Sequence, residues 1–442
     1  MLESLILFVF CASNAPALPP HACEELGIER GTVQTLPDVE FGASDSFMLT
    51  LDGKPRLVRL VPWSLRNRGF SVEGDPLGLV DRRERLWRGT VEPGGLRISC
   101  SRLRDGWWGR VVGEDGQSWM LEPWGDRTAV YNSSDALACG GTCGVVDGVF
   151  NDSRDPVIAR MGGPGGGGGL QVCGLAAEAD WAFFQTWGAD ALGRVESVLD
   201  AMNLQYESEV GITHDLSYFL VRTSAADDPY GSVTNSSSLL SQFGTWWNTN
   251  QQLIERDVAH LFTGKELDGS VIGIAYLGVI CTTNAYGLDQ EFGNFNCRTD
   301  LIAHELGHNW SADHCDCGNP QYTMNPSITC ANQFSPTQTV GDIAGFRSTR
   351  SCLESAPIRC CLLDGSCQAT FRDACLNLGG FLDSTDASCP PEACTQTWAC
   401  CFPDGVCLEG DPASCFTAGA SVGALNSTCA ATSCDPARAP VT

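Results

Sequence analysis

The segment 304-HELGHNWSADH-314 constrains the fold more than any other part of the chain. His304 and His308 are four residues apart, so one α-helix projects both imidazoles from the same face. Glu305 stands beside the first of them. Two neutral imidazoles at this spacing bind Zn2+, and an adjacent glutamate can take a proton from water at the metal. His314 offers a third nitrogen, and a catalytic zinc uses three protein ligands and keeps one position open. A helix that holds both His304 and His308 cannot also bring residue 314 to the metal. The chain must therefore turn near Ser311 and come back. Three of the six histidines of the sequence fall in this one segment, which three unrelated surface or core histidines would not explain.

Composition narrows the setting. Lys+Arg of 27 against Asp+Glu of 53 gives a net charge of -26. Nucleic acid and anionic membrane surfaces need basic patches, so neither is expected as a partner. The 24 cysteines point to an oxidising compartment, where disulfides persist. Residues 1–17 read as a signal peptide: an apolar run from Leu5 to Ala12, then small residues suited to cleavage near Ala15 or Ala17. Glu3 and the lack of Lys or Arg ahead of that run leave a buried N-terminal strand or helix as the competing reading. No later run approaches the roughly 20 apolar residues that a bilayer span needs. The expectation is a secreted, extracellular protein with no membrane span. Sequons at Asn132, Asn151, Asn235, Asn309 and Asn426 permit glycosylation, although a glycan on Asn309 would block the histidine segment.

Three zones follow one another after the leader. Residues 18–160 hold short strand-like runs (LVRLVPW, LWRGTV, GLRISC, GWWGRVV, SWMLEPW) broken by Gly, Pro and Asp, which predicts a β-rich domain of hairpins. The run 161-MGGPGGGGG-169 reads as a flexible, protease-accessible linker. A phosphate cradle would need a Lys-Ser/Thr ending and a strand-to-helix context that are missing here. Residues 170–355 mix strand and helix: a strand in LQVCGLAAEAD, helix over FFQTWGADALGRVESVLDAMNLQYES and LLSQFGTWWNTNQ, and a strand in 271-VIGIAYLGVIC-281. Strand and helix without strict alternation predict an α/β fold around a mixed sheet.

The last zone is duplicated. Cys360, Cys361, Cys367, Cys375, Cys389 and Cys394 recur at a constant offset of 40 as Cys400, Cys401, Cys407, Cys415, Cys429 and Cys434. Residues 356–396 and 397–437 are therefore two small disulfide-rich repeats, each too short for a real core. Zinc knuckles are the rival reading, which the absence of histidine and an oxidising compartment disfavour. Six cysteines allow 15 pairings, and sequence does not choose among them. The units resemble tandem Cys-rich modules of secreted microbial proteins, a likeness that assigns them no activity.

HELGHNWSADH followed by 322-YTMNPS-327 resembles the metzincin zinc peptidases, whose signature is HExxHxxGxxH with a downstream Met-turn. RDVAHLFTG (256–264), GIAYLGVIC (273–281) and AHELGHN (303–309) make it most similar to the adamalysin (reprolysin) branch, over roughly Cys173 to Cys352. The resemblance implies His304, His308 and His314 as zinc ligands, Glu305 as general base and Met324 as the Met-turn residue. It also implies hydrolysis of internal peptide bonds of a protein or peptide substrate, paired along the edge of the 271–281 strand. Two positions depart from the pattern. Ser311 replaces the family's glycine, at a cost of ~1 kcal/mol if the backbone there is left-handed. Cys315 stands where the branch usually carries Asp.

Removing Cys11 with the leader and twelve cysteines with the repeats leaves an odd number, so one thiol is left over. Cys143, in 140-GGTCGVVDG-148, resembles the cysteine switch of adamalysin pro-segments. In that arrangement a thiolate fills zinc's open position until the pro-segment is removed. LWRGTVEPGGLRIS and GWWGRVVGEDGQSWMLEP are similar to those pro-segments too. A Cys139–Cys143 disulfide is the alternative. The switch assignment leaves ten cysteines for five bridges. By resemblance Cys281 pairs with Cys352, while Cys297, Cys315, Cys317 and Cys330 staple loops near the site, in preference to a second metal at Cys315 and Cys317. The activating cut is expected near Arg160 or within the glycines. A different class of function, adhesion or matrix binding through the repeats with an inert peptidase scaffold, sits poorly with the intact Glu305.

Overall fold

The structure is a computed structural model. It describes residues 15–146 and 170–355, apart from 40, 42–44, 114–115, 139, 316 and 319–320, together with six short strands after residue 357. Residues 1–14 of the leader, the glycine linker, Arg160, Cys139, Asn151, Asn426 and half of the repeat cysteines (Cys375, Cys389, Cys394, Cys415, Cys429 and Cys434) lie outside the described residues.

The N-terminal zone opens with α1 (Pro20–Leu26) and β1 (Thr32–Gln34), then β2 (Asp45–Leu51), β3 (Lys54–Trp63), β4 (Arg66–Glu73) and β5 (Leu86–Glu92). It continues with β6 (Leu96–Arg102), β7 (Trp107–Val112), β8 (Ser118–Trp124), β9 (Arg127–Asn132) and β10 (Thr142–Val146). Eight of these strands form an antiparallel sheet in the order β1-β9-β8-β7-β6-β5-β3-β2. Alternation sorts its two faces. Phe47, Val58, Trp87, Val91, Ile98, Trp107, Val111, Trp119 and Leu121 fill one core. Arg88, Ser99, Arg110 and Glu122 stand on the other face and meet the helices that follow.

The second zone runs β11 (Gln171–Ala179), α2 (Trp181–Trp187), α3 (Ala191–Glu209), β12 (Ile212–Val221), α4 (Ser236–Asn250) and β13 (Val258–Thr263). Then come β14 (Val271–Tyr276), β15 (Tyr286–Gln290), α5 (Phe295–Asn309) and α6 (Thr339–Arg347). Its sheet has the order β10-β14-β15-β13-β11-β12-β4 and is mixed: β13 runs parallel to both β11 and β15, while β14 lies antiparallel to β15. β11, β13 and β15 are buried at every residue, as strands covered on both faces must be. Leu175, Ala177, Ala179 and Phe262 face α3 and α5, whereas Ala176, Ala259, Leu261 and Leu288 face Leu239, Leu240, Phe243 and Trp247 of α4.

Two strands of the N-terminal zone thus leave its own sheet. β4 runs parallel to β12 at one border of the second sheet, and β10 runs parallel to β14 at the other. The described residues of 15–146 and 173–353 accordingly form one compact unit. Between the two sheets lies α3, buried at every residue from Ala191 to Tyr206. A helix buried on all sides must find partners for its charges. Arg66 reaches Glu196 at 2.5 Å, Arg88 reaches Asp200 and Glu207 at 2.7 and 2.8 Å, and Ser99 bonds Asp200. Arg194 stacks on Trp108, Trp187 and Phe295 at 4.2, 4.7 and 5.1 Å.

Two elements are shorter than their sequence patterns. The helical pattern over 183–208 breaks at Gly188, whose positive φ of 52° ends α2 before α3 begins. The apolar run from Val271 stops being a strand at Tyr276, because Gly278 and Cys281 take φ of 66° and 68° and turn the chain away.

The other unit, residues 167–172 and 354–442, has a strand at Glu354–Ser355 paired antiparallel with Gln171 and Val172. Beyond it are two three-stranded antiparallel sheets. Cys361 faces Cys367 in the first, and Cys401 faces Cys407 in the second. Among the described residues no helix is long and apolar enough to cross a membrane.

Candidate metal centre

α5 begins at Asn294, whose side chain accepts from Cys297 N at 3.0 Å and caps the helix. It ends at Asn309, and Ser311 follows in the left-handed region at φ 71°. This is the reversal that the histidine spacing requires, taken by serine without a glycine. It carries the chain back past the helix, and the three imidazoles converge. His304 Nε2 lies 3.0 Å from His308 Nε2 and 3.3 Å from His314 Nε2. His304 and His308 are fully buried and His314 partly so.

The other ring nitrogens decide what the convergence means. His304 Nδ1 faces the Thr323 carbonyl at 2.6 Å, and His308 Nδ1 faces the Ala312 carbonyl at 2.7 Å. A carbonyl only accepts, so both Nδ1 atoms carry the proton. In the neutral rings each Nε2 is then a lone pair, and these two lone pairs point at one another and at His314. Burial, then the neighbouring imidazoles, hold His304 well below the usual histidine range and draw His308 down to about 3. Two buried, proton-free nitrogens turned toward a third imidazole fit a cation at their centre.

Cys143 completes the cluster: its thiol and the three imidazoles offer ligand atoms all within 4.8 Å of one another. β10 lies in a slot between β14 and the stretch after Met324. Cys143 stands opposite Gly273, Cys143 N reaches Pro326 O at 3.4 Å, and Thr142 bridges to Ser327. The glycines of GGTCG allow this approach, since a Cβ on Gly144 would meet the Ile274 side chain at 3.1 Å.

Glu305 is fully buried above Gly273, whose missing side chain leaves room for its carboxylate. Among the described residues its oxygens have no partner apart from the Cys143 thiol beside them. Burial, then Asp289, pushes the Glu305 carboxyl well above the ordinary range, and burial, then Glu305, raises the Cys143 thiol. Met324 packs beneath α5 with no exposed surface; a Cβ on Gly307 would lie 2.5 Å from its sulfur.

The family model of the reprolysin type within Metallo-peptidase family M12 matches residues 169–340. Residues 169–340 therefore resemble a reprolysin-like metallopeptidase domain. Two relatives of the domain are the zinc metalloproteinase-disintegrin-like brevilysins H2a and H2b of Gloydius brevicauda, each 32% identical over 116 residues. That stretch is 23% of this chain and 26% of each relative, so the chain spans about a quarter of their length.

The disulfides around the reprolysin-like domain are Cys281–Cys352, Cys297–Cys330 and Cys315–Cys317. Five bridges were expected from ten cysteines. Cys23 and Cys100 remain buried thiols because they sit in different cores and cannot meet. Asn309 is fully buried with its amide engaged, so its sequon is closed in the folded chain. Three residues of the domain escaped the sequence reading: Asp289, His260 and the side chain of Asn309, which form a buried chain behind Glu305. The motif RDVAHLFTG contains His260, but nothing in its local pattern names the partners.

Proposed function

We propose that this chain is a secreted zinc endopeptidase made as a latent precursor. The observation that carries the reading is the convergence of three imidazole Nε2 atoms, two of them free of a proton, beside a buried carboxylate whose one neighbour is the Cys143 thiol. His304, His308 and His314 would hold Zn2+, and Cys143 would be its fourth partner in the latent form. Bound there, the ion would polarise the scissile carbonyl and make water acidic near neutral pH. Glu305 takes the proton from the attacking water at its carboxylate and delivers it to the leaving amine. Its high proton affinity suits holding that proton between the two steps.

The substrate would lie extended along β14, pairing with backbone groups that β10 now occupies. Latency therefore has two parts: the thiol among the imidazoles, and a strand of the same chain on the substrate edge. A cut in 147–169 would sever the covalent link. Residues 18–160 act as the pro-segment on this reading, and the repeats at 356–396 and 397–437 take no part in the chemistry.

The test uses the full chain cut within 147–169. Wild type should hydrolyse a denatured protein substrate, lose that activity to a chelator and regain it with zinc. Glu305→Ala should bind zinc and cleave nothing. Undiminished cleavage by the mutant would sink the mechanism.

A further inference from the structure

A second set of polar side chains lies behind the metal-binding helix, and the reaction outlined above does not use it. His260 in β13, Asp289 in β15 and Asn309 at the end of α5 form one chain. His260 Nδ1 is 2.8 Å from Asp289 Oδ2, and His260 Nε2 is 2.8 Å from Asn309 Oδ1. Asn309 Nδ2 donates to the Tyr276 carbonyl at 2.9 Å and the Tyr286 carbonyl at 3.0 Å, which fixes its Oδ1 as the acceptor. His260 thus donates from Nε2 to Asn309 and pairs through Nδ1 with the Asp289 carboxyl. His260 and Asn309 have no exposed surface and Asp289 is 5% exposed.

The sheet is built around this ring. His260 stands opposite Gly287, where a Cβ would come within 2.5 Å of the imidazole, and Asp289 stands opposite Gly273, on which Glu305 rests. Glu305 and Asn309 are one turn apart on α5, on the side facing the sheet. The loop leaving β14 hangs from the same helix end. Gly278 N donates to His308 O at 2.8 Å, and Val279 N donates to Asn309 O at 2.9 Å. The helix with the metal-binding rings, the edge strand and its exit loop are therefore keyed together at Asn309.

We infer that His260 is a positioning residue for peptide hydrolysis. By holding Asn309 it fixes the metal-binding end of α5 against β14, the strand along which the substrate lies. The inference rests on the endopeptidase reading, because only there do α5 and β14 carry the two halves of one reaction. The reacting carboxylate and imidazoles sit on the helix, the scissile bond would sit on the strand, and an offset of about 1 Å between them can cost roughly 10²-fold in rate. Leucine could fill the same volume, but it would fix no direction between helix and strand.

The experiment compares three variants of the full chain with wild type. His260→Gln keeps a donor for Asn309. His260→Leu with Asp289→Asn removes the donor and the buried charge together. Asn309→Ala cuts the tether while leaving the His260–Asp289 pair. Each is read by zinc content, by amide exchange of residues 277–280 in the uncut zinc-loaded chain, and by kcat and KM after a cut within 147–169. The double variant and Asn309→Ala should keep zinc and lose roughly 10²-fold in kcat/KM. Both should exchange faster at 277–280 while β11 and β13 stay protected, and His260→Gln should restore most of the loss. Asn309→Ala serves if the double variant does not fold. Wild-type kcat/KM and wild-type protection in a folded, zinc-loaded variant would overturn the inference, as would exchange that rises evenly across the sheet. If the cut wild type hydrolyses nothing, the endopeptidase reading fails, while amide exchange still decides whether His260 holds the loop.

Discussion

Cys143 and Gly273 face one another in register across the parallel pair β10–β14, which seats the thiol among the three imidazoles and beside Glu305. A zinc-loaded full chain should therefore hide this one sulfur. Alkylation mapped by mass spectrometry is expected to miss Cys143 until a chelator is added. Cys143→Ser should give measurable peptidase activity without a cut. Equal labelling with and without metal would end the latency reading.

Gly307 sits in α5 between the two helical histidines, with the Met324 sulfur where a Cβ would go. Alanine is the better helix former by about 1 kcal/mol, yet overpacking a filled core costs ~1–3 kcal/mol. The clash should win, because Met324 is itself fully buried and has little room to yield. Gly307→Ala is expected to lower Tm by a few degrees, at roughly 2–4 °C per kcal/mol for a domain of this size. A raised Tm in differential scanning fluorimetry would contradict the packing described.

Arg88 of β5 answers two carboxylates of α3, Asp200 and Glu207, and its side chain is only 15% exposed. Arg88→Met keeps the apolar stem but strands both acids, a loss of about 3–5 kcal/mol when one partner of a buried pair is removed. Urea unfolding should show that loss, and adding Asp200→Asn with Glu207→Gln should return part of it.

Glu122 of β8 accepts from Phe295 N at the start of α5 at 3.2 Å, and burial raises its carboxyl to about 7 despite that bond. The folded-state value thus exceeds the ordinary 4.5. The folded chain holds a proton in this window that the unfolded chain has released, so the contribution is complete below pH 4.5 and fades as pH rises through about 7. Wild type should lose Tm relative to Glu122→Gln between pH 5 and about pH 8.5. A Tm difference that stays flat, or grows in favour of wild type, would refute this assignment.

The convergence of the three imidazoles was legible because its signal is local. A four-residue spacing on a helix and one reversal at Ser311 bring three rings together without knowledge of the rest of the fold. The β11 strand, α4 and the N-terminal hairpins were legible for the same reason, since period and turn residues are written within each segment. What escaped the sequence depends on partners far away in the chain. His260, Asp289 and Asn309 come from three separate elements, and no spacing within any one of them points to the other two. Cysteine parity says that a thiol is left over, but only the two cores show why Cys23 and Cys100 stay unbridged. Nor did the pattern of β4 or β10 say which sheet each would join, because an alternating strand fits either one.

That last feature bears on how the molecule can be made. Ribosomal synthesis of a fragment starting at residue 170 would leave β12 and β14 each with a bare row of amide and carbonyl groups, a template for neighbouring copies. Such a fragment is expected to clump in the test tube, whereas supplying residues 18–146 as a separate polypeptide during refolding should keep it dispersed.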